Sequence, residues 1–114
     1  MQAYFAKLQK ALAAAGLAEP VLLVDRRKLD KNIKQLKRML PRHMAYRIVA
    51  KSLPCAALLA YIAAVAKTDR LMSFNREMSQ QLLAALPQAD QLLGKPLPVA
   101  AAAGLFNAVP AAKG

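Results

Sequence analysis

A chain of 114 residues can hold one small domain and is too short for two ordinary ones. Its 57% hydrophobic content excludes a disordered chain, and its one cysteine excludes an internal disulfide, as in a reducing compartment. The net charge of +11 at pH 7 asks for an explanation, because an excess of that size suits an acidic surface or a nucleic acid.

The chain opens on "MQAYFAKLQKALAAAG", a mildly amphipathic run that closes on Gly16 and predicts an N-terminal helix within residues 1–19. It lacks a basic head followed by an apolar signal core, so a cytoplasmic protein is expected. "PVLLV" (20–24) reads as a first short strand. The helix "DRRKLDKNIKQLKRML" follows, with Asp25 placed to cap it and Pro41 to stop it.

Eight of the 17 basic residues fall between Arg26 and Arg42, where Asp30 is the only acid. Leu29, Ile33, Leu36 and Leu40 mark one helix face, and Lys31, Lys34, Lys37 and Arg38 fall mainly on the others. The pattern predicts a solvated helix surface. The alternative is a small basic protein that docks this helix on RNA or an acidic surface. No aromatic residue is interleaved for base stacking, so a nucleic-acid partner is not expected.

"YRIVA" (46–50) predicts the second strand. Leu53–Ala66 is then a helix, with Ser52 as its cap and Pro54 in its first turn. This apolar run is shorter than the roughly 17–25 residues a membrane span requires, so no membrane partner is expected. "RLMSF" (70–74) predicts the third strand, and "REMSQQLLAAL" a helix with Asn75 at its cap and Pro87 at its end. "DQLLG" (90–94) and an alanine-rich helix from Pro98 to Asn107 complete the series.

Four successive strand-helix units imply parallel strands, since each helix returns the chain to the start of the next strand. The strands are nearly continuous in hydrophobicity, which predicts helices on both faces. The fold class is therefore α/β. A closed eight-stranded barrel takes about 200 residues or more, so residues 20–114 amount to half a barrel or a small open sheet. The close on "AVPAAKG", with no distinct final element, reads as an apparently truncated chain.

Chemistry in parallel α/β folds gathers at the carboxyl ends of strands. Lys51 follows strand 46–50 directly and is flanked by apolar groups, so it is expected to be held and poorly hydrated. An amine kept neutral by such surroundings is a nucleophile able to form a Schiff base with an aldehyde. By position alone a solvated side chain is the ordinary reading. Lys95 takes the equivalent place after the fourth strand, but Gly94 and Pro96 suit a turn that leaves its amine hydrated. Ser73 and Asn75 lie at the end of the third strand and Asp25 at the end of the first. Cys55 reads as a small buried residue, and His43 as a residue of the opposite end. No paired histidines, CxxC spacing, Ser-His-Asp set or glycine-rich phosphate loop appears.

"EPVLLVDRRKLDKNIKQLKRMLP" followed by "YRIVAKSLP" resembles the opening of the alanine-racemase-like family of pyridoxal-phosphate enzymes. That family has an apolar strand ending in Asp, a helix with "L-x-x-N-I", and a strand ending in the cofactor lysine. "TDRLMSFNREM" and "ADQLLGKPLPVAAA" are more similar to its D-serine dehydratase and D-threonine aldolase branch. The similarity spans about Pro20 to Phe106.

The resemblance implies the N-terminal portion of a (β/α)8 barrel, with Lys51 holding pyridoxal 5'-phosphate as a Schiff base and then shuttling the α-proton. It implies a lyase acting at Cα or Cβ of a D- or β-hydroxy amino acid, with an amino-acid racemase as the alternative. "KSLPCAALL" lacks the tyrosine-containing turn that follows the lysine in alanine racemases, and "VAKSLPC" lacks the flanking histidines of some D-serine dehydratases. The phosphate-binding loops, any metal ligands and a β-rich second domain are expected beyond Gly114, and first strand 21–24 belongs with that domain. A homodimer is an open option for the parent enzyme, and the 114 residues alone are expected to be inactive.

Overall fold

The computed structural model describes residues 1–53 and 55–108, apart from the side chain of Ala108; Pro54, expected in a helix's first turn, lies outside them. Among the described residues the chain forms helix α1 (Gln2–Ala14), helix α2 (Arg26–Met39) and strand β1 (Ile48–Val49). A 3-10 turn (Ala50–Ser52), helix α3 (Ala56–Ala66) and strand β2 (Arg70–Ser73) follow. Helix α4 (Arg76–Ala85), strand β3 (Asp90–Leu93) and helix α5 (Val99–Ala108) complete the chain order.

The helices begin where short polar side chains can satisfy free backbone N–H groups. Asp25 accepts from the N–H groups of Arg27 and Lys28, and Asn75 accepts from that of Met78. Helix α3 starts three residues later than its apolar run: Ala50–Ser52 close a 3-10 turn, and the cap position falls on Cys55 instead of Ser52. Lys67 ends α3 in the left-handed conformation at φ 53°, and the Lys37 amine donates to the Ala66 carbonyl at 2.5 Å. A cation there meets the negative end of the helix dipole.

The sheet is parallel in the order β1-β2-β3, with Ile48 opposite Leu71 and Leu71 opposite Gln91. Side chains alternate between its faces. Ile48, Ala50, Leu71 and Ser73 point to one face and are buried. Ile33 of α2, Leu59, Ile62 and Ala66 of α3, and Leu82 of α4 complete the core against them. Helix α5 packs beside α4 and buries Leu105.

The opposite face is open. Val49, Met72 and Leu92 form one row across it, with Val49 39% and Leu92 46% exposed. The continuous apolar strands predicted two covered faces, but the core lies on one only. Arg47 lies across the lower end of the open face, where its Nη1 donates to the carbonyls of Leu71 (2.9 Å) and Asp90 (2.8 Å). Its Nη2 meets the Asp90 carboxylate at 2.8 Å.

The first predicted strand is absent. Residues 20–24 have no regular structure, and Leu22 is 92% exposed. The outer edge of β1 is left unpaired, and residues 20–24 do not join it. The result is an α/β chain with three parallel strands among the described residues, in which the strand expected at 20–24 is not formed and no barrel is seen.

Candidate functional site

The carboxyl ends of the strands bring together Lys51 after β1, Phe74 and Asn75 after β2, and Gly94 and Lys95 after β3. Lys51 lies in the 3-10 turn, so its backbone is fixed by the Leu53 N–H bond to the Ala50 carbonyl at 3.1 Å. Its side chain is exposed, which corrects the expectation of a poorly hydrated amine. With one sheet face open to solvent, no described element desolvates it. The Lys51 Nζ stands 4.7 Å from the centroid of the Phe74 ring.

Phe74 in turn rests against Gly94. A Cβ built on Gly94 would come within 2.5 Å of the ring, so this close approach needs a glycine. The Gly94 N–H donates to the Ser73 carbonyl at 2.7 Å, which extends the β2–β3 pairing to the level of the ring. Lys51, Phe74 and Gly94 thus form one cluster built from three strand ends. Sequence reasoning missed Phe74; the signal available was an aromatic at one strand end facing a glycine at the next.

Ser73 belongs to the covered face. Its hydroxyl is buried 2.6 Å from that of Ser79, and Ser79 donates to the Asn75 carbonyl at 2.9 Å. Gln91 reaches the Ser79 carbonyl through Nε2 at 3.2 Å, while its Oε1 is buried with no partner among the described residues. These polar groups tie β2, α4 and β3 together behind the sheet. Asn75 is spent on capping α4, and Asp25 on capping α2 while accepting from the Tyr4 hydroxyl at 2.9 Å. The Lys28 N–H, and then the Tyr4 hydroxyl, hold the Asp25 carboxyl below its ordinary range.

Cys55 is exposed at the start of α3 instead of buried. His43 is exposed in the turn before β1, as expected for the opposite end. Lys95 is exposed. Arg27, Lys31, Lys34 and Arg38 are exposed along α2, in keeping with a solvated surface. A surface groove of about 660 Å³ lies between the carboxyl ends of α3 and α4, with Ala63, Ala64 and Ala85 among its walls. It is remote from Lys51 and brings no nucleophile to a partner base.

Among the described residues no group of three or more His, Cys, Asp or Glu side chains could hold a metal ion, and no helix is long and apolar enough to cross a membrane. No protein-family profile, curated protein or solved structure matches the chain.

Proposed function

We propose that the chain is the lysine-bearing part of a pyridoxal-phosphate enzyme acting at Cα or Cβ of a D- or β-hydroxy amino acid, a lyase of the D-serine dehydratase or D-threonine aldolase kind. The observation that carries this reading is the placement of Lys51. Its primary amine stands at a strand's carboxyl end, with Phe74 and Gly94 supplied by the two strands that follow. Two features of the sheet support a barrel wall as its setting. The strands neighbour each other in chain order, and the core helices lie on one face only. A doubly wound sheet reverses its strand order and covers both faces.

The residues present fit the aldehyde end of the cofactor. Lys51 would hold it through Nζ, and the ring of Phe74 gives the amine an apolar support on one side. When bound, pyridoxal phosphate supplies an electron sink for the bond broken at the substrate's Cα. Lys51 is also the group placed to take and return a proton there, as an amine on a short, anchored turn. Lys95, the other strand-end amine, is the candidate for an auxiliary contact with an anionic group.

The test is reductive trapping. The chain is incubated with pyridoxal phosphate, reduced with borohydride, digested and mapped. Label is expected on Lys51 in clear excess over the other lysines. Lys51→Ala should remove it, and Lys95→Ala should leave it in place. Label on Lys95 with Lys51 unmodified, or label spread evenly over the exposed lysines, would overturn the assignment.

A further inference from the structure

The cluster that contains Lys51 is more specific than a free amine at a strand end would be. An exposed lysine has four rotatable carbons and no reason to prefer one direction. Here its ammonium lies over an aromatic face at 4.7 Å from the centroid, within the range where the ring's negative face attracts a cation. The ring itself is packed against Gly94. It fills the space that a side chain on Gly94 would occupy, with three of its carbons within 3.0 Å of where that Cβ would stand.

We infer that Phe74, seated on Gly94, is a positioning residue that holds the Lys51 amine at the mouth of the sheet until it reacts. Its importance for catalysis rests on the reading of Lys51 as the cofactor lysine, but the contact can be tested without any cofactor. To attack an aldehyde the amine must leave the ring face. The contact therefore slows attack on a small neutral aldehyde and orients the side chain between reactions. Gly94 acts at one remove: any side chain there displaces the ring and releases the lysine.

Reductive methylation with ¹³C-formaldehyde and cyanoborohydride reads both effects in one sample. Lys95, exposed and outside the cluster, is the internal reference. In the unaltered chain the ¹³C-methyl signal of Lys51 should lie upfield of that of Lys95, from the ring current of Phe74. Phe74→Leu should abolish the upfield shift and raise the Lys51 methylation rate, relative to Lys95, about two- to fivefold, as expected for loss of one exposed cation–ring contact. Phe74→Tyr should keep both properties, and Gly94→Ala should behave like Phe74→Leu. Circular dichroism identifies any variant that fails to fold.

Absence of the upfield shift in the unaltered chain would overturn the inference without recourse to a variant. So would a folded Phe74→Leu chain with an unchanged rate and shift. Failure of pyridoxal phosphate to label Lys51 would instead sink the cofactor reading and leave the contact with Phe74 standing.

Discussion

At the scale of single residues, Arg47 does more for the sheet than any local pattern around it suggests. Its guanidinium joins the first strand to carbonyls of the second and third and to the Asp90 carboxylate. Bonding to Arg47, more than the nearby charge of Arg70, holds the Asp90 carboxyl below its ordinary value. The sign follows from where the proton binds. The unfolded chain protonates Asp90 at a higher pH than the folded one, so its stabilising contribution is full above the ordinary carboxylate range, about pH 4. It is lost as pH falls through the lower folded value. Urea midpoints measured at about pH 6 and about pH 3 should therefore differ less in Asp90→Asn than in the unaltered chain. An equal difference in both would show that the ion pair contributes nothing to acid sensitivity.

At the scale of elements, the basic residues of helix α2 divide into free ones and three with contacts: Arg26 over the Tyr61 ring, Lys28 over the Tyr4 ring, and Lys37 at the end of α3. Lys31 and Lys34 are exposed and bond to no group among the described residues, whereas Lys37 caps the end of α3 through the Ala66 carbonyl. Changing Lys31 and Lys34 to glutamine together should leave helix content and stability nearly unchanged, since the two residue types have similar helix propensity. Lys37→Gln should cost about 0.3–1 kcal/mol, read as a lower denaturation midpoint. Loss of salt-dependent RNA binding in the double variant would instead identify a binding face.

Much of this level was legible in the sequence. Asp25 and Asn75 announced the starts of α2 and α4 by local chemistry, and Pro41 and Pro87 lie just beyond their ends. Residues 20–24 misled because a hydrophobic run reports burial propensity but not whether the segment docks on a sheet, and this one stays exposed beside none. Lys51 was placed correctly in the chain order, but its hydration depends on what covers the far face of the sheet. Phe74 meeting Gly94, and Arg47 reaching Asp90, join residues about 20 or more apart, which no local window brings together.

For the whole molecule, one covered face and two unpaired outer strands dominate the expected behaviour. The radius of gyration, 17.7 Å, exceeds the roughly 13 Å typical of a compact chain of this size. Helix α1 buries no residue, and Tyr4 anchors it through its hydroxyl on Asp25 and its ring under Lys28. Exposed strand edges and an apolar row on the open face favour pairing with other chains. Sedimentation at rising concentration should show self-association, with a broad thermal transition. A monodisperse monomer that melts sharply would count against an incomplete sheet.

The order β1-β2-β3 also says when each strand can become secure. Strand partners lie roughly 20 residues apart in the chain, and each strand pairs with the one synthesised just before it. During translation, β1 emerges before anything can pair with it and is only two residues long. It must wait for Leu71 and Met72 to leave the ribosome before its backbone is satisfied. The Arg47 bonds come later still, once Asp90 has been made. Assembly thus runs from the amino end toward the carboxyl end, and at every stage the newest strand presents the growing edge.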